Sequence, residues 1–196
     1  MDVDPTESAD MYRIVSSLVV PRPIGWISTR AADGTDNLAP YSFFQVLNES
    51  SPPVVMFAAG DREDGRPKDS ATNARATGGF VHNLVTRDRF EEMHRSSDAI
   101  PAAESEFAPA DVDLEAAETV SAPRVRRAKA HFECSLYDDA RIGDRTVVMG
   151  EIQHVHVDDA LLTDGRVDVR EVDAVGRLTG DYYSAIEPFP AAEGPP

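Results

Sequence analysis

Residues 21–44, PRPIGWISTRAADGTDNLAPYSFF, constrain the fold of this chain more than any other stretch. Residues 24–29 include tryptophan and β-branched residues, which fit a pleated, half-buried strand. Asp33 and Gly34 form a dipeptide typical of hairpin turns, so residues 37–44 are expected to be the returning strand. Pro40 interrupts that strand, and a proline is tolerated in a sheet only at an edge or a bulge. Such places often turn polar groups toward a ligand, and the polar residues expected along one rim are Ser28, Thr29, Asn37, Tyr41 and Ser42.

Further patterns along the chain predict a mainly β protein with short helices, of the β-barrel or α+β class. Apolar residues at helical spacing predict a helix over residues 11–18, with Asp10 as its cap and its apolar face closing one end of a barrel. Residues 54–59 read as a strand buried on both faces, and residues 80–85 as a strand containing Asn83. Residues 87–97 predict a short amphipathic helix, followed by a loop over residues 97–110.

The second half of the chain predicts more barrel strands. In residues 129–137, Cys134 lies on the apolar side of a period-two pattern, and His131 and Glu133 lie on the polar side. We therefore expect Cys134 to be a small buried side chain and not a nucleophile. Residues 146–157 form a long strand with a His-x-His pair at positions 154 and 156, but no third ligand at suitable spacing favours a metal. Residues 164 and 165, Asp-Gly, predict a turn between two short segments.

The charge of the chain excludes some partners. It contains 35 acidic and 19 basic residues, for a formal net charge of −16, and only Lys68 and Lys129 are lysines. Such a surface repels nucleic acid and anionic membranes. It also fits a protein kept soluble in concentrated salt, although a GC-rich genome combined with acidic tails is the alternative explanation. A single cysteine, an acidic start and no long apolar run together predict a soluble, cytoplasmic protein.

Lys68 stands at the start of a helix expected to extend through residue 76. The amide groups and the positive dipole end of a helix attract anions, and Lys68 and Ser70 add a charge and a hydroxyl. The alternative is that Asp69 or Ser70 only caps the helix and that Lys68 is solvated. The sequence therefore predicts either an anion site or a simple helix cap at this position.

Several blocks in order resemble the flavin reductase-like family, whose fold is an FMN-binding split β-barrel. The blocks are PRPIGWIST, NLAPYSFF, the Pro-Pro pair at 52–53, KDS at 68–70 followed by Asn73, FVHNLV at 80–85, ECSL at 133–136, VVMGEI at 147–152 and GRLTGDYY at 176–183. The resemblance covers residues 11–183. It implies one domain over residues 11–186, between an acidic arm at 1–10 and a Pro-rich tail at 187–196, and a homodimer with the flavin near the subunit interface.

The resemblance also implies which residues meet FMN. The block that contains Lys68, Asp69, Ser70 and Asn73 would meet the phosphate, which Lys68, Ser70 and the amides that follow Ser70 would hold. The ribityl chain and ring edge would be bonded by Ser28, Thr29, Asn37 and Ser42. The ring would lie along Ala39, Pro40 and Tyr41, with Arg177 nearby. Asn83 is either a flavin contact or an amide bonded to backbone at a corner of the barrel.

No catalytic triad, Walker loop, metal triad or dinucleotide fingerprint is visible in the chain, which favours chemistry carried by a cofactor. The resemblance then implies an FMN-binding oxidoreductase, a flavin reductase that uses NADH or NADPH as a transient donor and passes electrons to free flavin or another acceptor. Many members have a histidine just before the block that corresponds to residues 147–152, whereas this chain has Arg145-Thr146. A non-enzymatic FMN carrier that docks to a redox partner protein, or a flavin-free binding module, are the alternatives. The loop at 97–110 is expected to shape substrate access.

Overall fold

A seven-stranded antiparallel sheet organises the chain in the computed structural model, which describes residues 2–8, 10–98, 100–101 and 104–191. The strands are β1 (Gly25–Arg30), β2 (Asp36–Tyr41), β3 (Phe44–Asn48), β4 (Val54–Gly60), β5 (Gly79–Asn83), β6 (Leu114–Glu115), β7 (Arg124–Val125), β8 (Ala130–Ile142), β9 (Arg145–Val157), β10 (Leu162–Thr163), β11 (Arg166–Val167), β12 (Val175–Arg177) and β13 (Tyr183–Ala185). The helices are α1 (Met11–Leu18), α2 (Asp69–Thr77) and α3 (Phe90–Arg95), with single 3₁₀ turns at Arg87–Arg89 and Asp159–Leu161.

The order of the strands explains why the sheet closes on itself. The large sheet runs β2-β1-β5-β8-β9-β4-β3, so β2 and β3 are its two edges. Only Ser42 and Phe43 join these two strands, and so short a link spans roughly 10 Å. The two edges must therefore approach each other at this link, and the sheet curls into a barrel that is split between β2 and β3. The predicted mainly β, split-barrel fold is confirmed.

The predicted hairpin is confirmed, with one change at its end. β1 and β2 pair in register from Gly25 opposite Tyr41 to Arg30 opposite Asp36, and Gly34 takes a φ of 95° in the turn. Pro40 lies within β2, where an edge strand tolerates it. The returning strand ends at Tyr41 and not at Phe44, because the chain bends at Ser42 and Phe43 to begin β3.

Two hydrophobic clusters lie on opposite faces of the hairpin. Ile27 on one face joins the barrel interior, which Ala71 and Ala74 of α2 also enter. Trp26 and Leu38 face the other way, into a second cluster with Met93 of α3 and residues of the later loops. α2 therefore packs into the barrel, while α3 and the loops cover the outer face of the hairpin.

The prediction that α1 closes one end of the barrel is wrong. The helix has the expected bounds, but Tyr12, Val15 and Leu18 are 66%, 45% and 76% exposed. Ser16 is its one buried residue, and Asp10 stands at the cap position without a side-chain hydrogen bond to the helix. Much of the apolar face of α1 is therefore directed away from the core, and the helix that does enter the barrel interior is α2, through Ala71 and Ala74.

Two strand predictions and one turn prediction in the rest of the chain have different outcomes. The strand predicted over residues 80–85 is β5, which ends at Asn83, two residues earlier than predicted. The polar face of β8 is not exposed, since His131 and Glu133 are buried beneath residues 118–125, the segment that leads from β6 into β7. Residues Asp164 and Gly165 form the predicted turn between β10 and β11, both with positive φ. In the described part of the two termini, residues 2–8 and 187–191 contain no helix or strand.

Candidate functional site

A cleft opens where β2 bends into β3, beside the amino end of α2. It consists of two cavities that share Pro40, Tyr41, Asp61, Lys68 and Ser97 in their walls. We call the first, of 660 Å³, the α2 half; its further walls include Asn37, Ala39, Arg62, Asp69 and Glu106. We call the second, of 520 Å³, the Arg145 half; its further walls include Ser42, Phe43, Arg145, Arg177 and Tyr183. A bound small molecule typically occupies a cavity of this size.

The amino end of α2 forms one wall of the α2 half. Lys68 has extended backbone at the cap position, and its carbonyl accepts the amide hydrogens of Ala71 and Thr72. The amides before these two have no acceptor inside the helix. Lys68 is exposed and forms no ion pair with any residue in the described ranges, whereas Asp69 pairs with Arg62. The free ammonium and the open helix end therefore offer a positive surface to the cleft.

Behind this wall, Ser70 joins α2 to the β2 edge. The Asn37 amide nitrogen and the Tyr41 hydroxyl each donate a hydrogen bond of 2.9 Å to Ser70 Oγ. These bonds use both acceptor positions of the serine hydroxyl, so its own hydrogen remains a donor. Burial raises the pKa of Tyr41, which keeps its phenol neutral. The network fixes the Pro40–Tyr41 wall relative to the helix end.

Four of the eight carboxylates that line the cleft, including Asp69, already have a partner. Asp61 makes a two-point ion pair with Arg141, and Asp64 pairs with Arg66. Glu106 accepts a 2.9 Å hydrogen bond from the Leu38 amide, which points outward from the free edge of β2. Burial raises the pKa of Glu106, and the Leu38 amide partly opposes that shift. These pairings reduce the repulsion that an anion would meet near Lys68.

The Arg145 half contains two guanidinium groups in different environments. Arg177 donates to the Tyr183 hydroxyl and to the Gly180 carbonyl, and its Cζ atom lies 4.4 Å from the centroid of the Tyr183 ring. Arg145 lies over the ring of Phe43, with Cζ 4.7 Å from the centroid. The bend at Ser42 and Phe43 thus presents an aromatic face with a cation upon it.

Eight of the thirteen predicted site residues line the cleft. They are Asn37, Ala39, Pro40, Tyr41, Ser42, Lys68, Asp69 and Arg177. Ser70 is buried directly behind them, bonded to Asn37 and Tyr41. The hairpin, the start of α2 and the β12–β13 hairpin thus meet at one place, although they are far apart in sequence.

The structure does not bring the other four predicted residues to the cleft. Asn73 of α2 donates to Thr29 Oγ1 of β1 at 3.2 Å, and both side chains are buried between the two elements. Ser28 lies on the outer face of β1 and donates to the Pro123 carbonyl. Asn83 donates to the Trp26 carbonyl and to Ser28, and accepts from the Val125 amide. The second interpretation of Asn83, an amide bonded to backbone, describes its contacts.

Sequence reasoning did not single out Phe43 or Glu106 as residues of the site. Arg145 was noticed only as a departure from a family pattern. One available signal was the pair Ser42-Phe43 after a proline-containing strand, because a bend there exposes an aromatic ring. Glu106 gave no signal, since a carboxylate in a long loop is ordinary.

Two further predictions concern reactive or metal-binding groups. Cys134 is buried, as predicted, and burial raises the pKa of its thiol. His154 and His156 find no third ligand, and no three metal-ligating side chains come together anywhere in the described ranges.

None of the helices in the described ranges combines the length and the apolar character that a membrane-spanning helix needs.

Comparison with known proteins agrees with this architecture. An uncharacterized protein of Aquifex aeolicus is 40% identical over 182 residues, which covers 92% of both chains. The crystal structure of nitrilotriacetate monooxygenase component B from Bacillus cereus matches with a TM-score of 0.91 and 26% identity, covering 97% of this chain and 98% of that one. The Pseudomonas fluorescens 2-nitrobenzoate 2-nitroreductase matches with a TM-score of 0.87 and 26% identity, covering 100% and 96%. The family model for the flavin reductase like domain matches residues 16–172, and the chain therefore belongs to the flavin reductase-like family.

Proposed function

We propose that this protein is an FMN-dependent oxidoreductase that accepts hydride from NADH or NADPH and passes electrons to free flavin or another acceptor. The observation that carries the proposal is Lys68, which has no ion-pair partner among the described residues, at the open amino end of α2 beside the wall formed by Pro40 and Tyr41. A cationic corner next to a flat, largely apolar wall suits a phosphorylated ring system. Membership of the flavin reductase-like family supports a flavin as that ring system.

The residues present fit FMN. Lys68 and the first amides of α2 would hold its phosphate, with the Ser70 hydroxyl behind them as a further donor, because no hydrogen bond or ion pair among the described residues joins these donors to a carboxylate. Ala39, Pro40 and Tyr41 would face the ring, and Asn37 and Ser42 would bond its polar edge or side chain. When bound, the flavin supplies the hydride-accepting and electron-donating chemistry.

The protein's own residues would then bind the flavin, orient its ring and limit the access of other molecules to it. Tyr41 stays a neutral phenol held by Ser70, so it adds shape and no charge to the wall. Ser97, Ile100 and Glu106 place the loop that follows α3 along the α2 half, and the contact between Glu106 and Leu38 holds this loop against β2. This loop would control which acceptor reaches the cleft, as proposed from the sequence.

The similar proteins support two acceptor classes. One is named a monooxygenase component and the other a nitroreductase, so the electrons could pass to a partner enzyme's flavin or to a nitroaromatic compound. A non-enzymatic FMN carrier remains the second candidate, since the acidic surface would suit a basic redox partner. A barrel without flavin is the third.

We also propose that the protein is a homodimer. The support is the apolar face of α1, where Tyr12, Val15 and Leu18 are exposed, because exposed apolar patches commonly mark interfaces. Light scattering on the purified protein tests this directly. A single-chain mass at all concentrations would contradict it.

The first test is the visible absorbance spectrum of the purified protein, with identification of any flavin released on heating. Stoichiometric FMN is expected, together with oxidation of NADH or NADPH when an acceptor is added. Bound FMN without donor oxidation would favour the carrier. A colourless protein that fails to bind added FMN would contradict both functions.

The Lys68→Ala substitution tests the phosphate site. Loss of a charge-assisted contact should weaken FMN binding by about 1.5–3 kcal/mol. Lys129→Ala is the matched control, because it removes the chain's other lysine, which lies outside the cleft. Equal flavin dissociation constants for the two variants would remove Lys68 from the phosphate site.

A further inference from the structure

Arg145 is held in place by its surroundings but has few partners for its hydrogen-bond donors. Its guanidinium lies on the Phe43 ring, and its side chain is 31% exposed. A Cβ atom on Gly60, the residue opposite it in the sheet, would lie 3.2 Å from Nη1, so the glycine leaves the space that the guanidinium occupies. The guanidinium of Arg145 therefore lies between the ring of Phe43 and the space left by the absent side chain of Gly60.

No carboxylate in the part of the chain that the structure describes forms a close ion pair with Arg145. Its nearest carboxylate within the described ranges, that of Asp144, lies 3.9 Å away and is largely exposed. None of the hydrogen bonds found among the described residues uses an Arg145 side-chain nitrogen as its donor. Arg177, in the same half of the cleft, differs because Tyr183 and Gly180 occupy its donors. Arg145 therefore presents a planar set of donors to the cavity.

A pre-oriented guanidinium with free donors is suited to a phosphate, which it can bind through two parallel hydrogen bonds. Lys68 and the end of α2 offer a separate cationic surface in the α2 half, and both halves share the Tyr41 wall. The cleft thus has two cationic positions along one wall, at Lys68 and at Arg145. If two phosphorylated molecules were bound next to each other, each position could bind the phosphate of one of them.

We propose that Arg145 binds a phosphate of the nicotinamide nucleotide that donates hydride, an inference that rests on the function proposed above. The phosphate is either the pyrophosphate, which NADH and NADPH share, or the 2′-phosphate, which only NADPH carries. In both cases Arg145 acts in binding and specificity, and it takes no part in proton transfer.

The test measures binding of redox-inert fragments by calorimetry, with FMN in excess so that any flavin site is filled. The probes are ADP for the pyrophosphate, adenosine 2′,5′-bisphosphate for the 2′-phosphate, and adenosine as the uncharged reference. The variant is Arg145→Gln. Arg166→Gln is the matched control, because Arg166 is exposed on β11, outside the cleft, and its loss changes the net charge equally.

Arg145→Gln is expected to weaken at least one phosphorylated probe roughly tenfold or more, with adenosine unchanged and Arg166→Gln like the wild type. A loss confined to the bisphosphate assigns the 2′-phosphate and predicts a preference for NADPH, whereas a loss for ADP assigns the pyrophosphate. The proposal is overturned if the wild type binds neither phosphorylated probe, if Arg145→Gln binds both as the wild type does, or if adenosine binding falls equally.

The absorbance spectrum of the same samples reports on the proposed function independently. A normal flavin spectrum with no dependence of nucleotide binding on Arg145 overturns the role of Arg145 alone. A protein that binds no flavin overturns the proposed function, and the calorimetric comparison then still decides whether Arg145 forms a phosphate site.

Discussion

Glu133 is fully buried and holds the loop between β6 and β7 against the barrel. Its carboxylate accepts hydrogen bonds from the Thr119 amide and hydroxyl, from the Glu118 amide and from Arg124 Nε at 2.6–3.0 Å. Burial by itself would raise its pKa, but these bonds, with that of the Thr119 hydroxyl first among them, lower the pKa to about 2. Because the ordinary value is 4.5, this carboxylate stabilises the fold above pH 4.5, and its contribution is lost as the pH falls toward 2.

Glu133→Gln should destabilise the protein by about 3–5 kcal/mol at neutral pH, because buried Arg124 would lose its ion pair. The difference from the wild type should shrink as the pH falls from 4.5 toward 2, because Glu133 is protonated in the unfolded chain from about pH 4.5 and in the folded protein only near pH 2. Urea unfolding at neutral and acidic pH measures both effects, with exposed Glu49→Gln as the control. Equal urea midpoints for the two variants at neutral pH would contradict the assignment.

At the scale of elements, the long β8–β9 hairpin crosses the barrel and needs a glycine where it is most crowded. Gly150 of β9 pairs with Val55 on one side and with Leu136 on the other. A Cβ atom there would lie 2.5 Å from the Phe80 ring and 2.7 Å from the Cβ atom of Cys134. The interior of the barrel is therefore filled up to the backbone of β9.

Gly150→Ala should destabilise the fold by about 1–3 kcal/mol, through overpacking against Phe80. Phe80→Leu creates space at the same contact, so the double variant should be more stable than the sum of the two single changes predicts. Thermal or urea unfolding of the four proteins gives this coupling. If the destabilisations of the two single variants simply add in the double variant, the methyl group of the introduced alanine does not press against Phe80.

At the scale of the whole molecule, the net charge of −16 governs the response to salt. Most ion pairs among the described residues involve at least one partly exposed side chain, as with Arg66–Asp64 and Arg170–Asp168, so they contribute little each. The uncompensated acidic surface repels itself, and salt at molar concentration screens that repulsion within roughly 3 Å.

We therefore expect the melting temperature to rise in molar KCl relative to dilute buffer, by roughly 4 °C or more, which corresponds to about 1–2 kcal/mol. Differential scanning fluorimetry across a KCl series makes the measurement. A sucrose series is the comparison, because sucrose stabilises folded proteins without screening charge. The same stability in dilute buffer and in molar KCl would leave genome composition as the explanation of the acidic surface.

Short-range patterns determined much of the fold before any tertiary information was used. The hairpin turn at Asp33-Gly34, the edge position of Pro40, the bounds of α1 and the buried Cys134 all follow from local backbone preference and side-chain periodicity. The same patterns located Lys68 at a helix start. These features depend on neighbours within a few residues, which the sequence contains directly.

Tertiary structure alone decided which polar residues face the cleft and which are structural. Ser28 donates a hydrogen bond to the Pro123 carbonyl, and Asn83 accepts one from the Val125 amide. Each of these backbone partners lies more than forty residues away in the sequence. Arg145 is brought to Phe43 because β4 pairs with β9 on one side and with β3 on the other, which places segments about a hundred residues apart next to each other. A hydroxyl or amide has the same local signature whether it meets a ligand or a distant backbone group, so only the packing of distant segments tells the two apart.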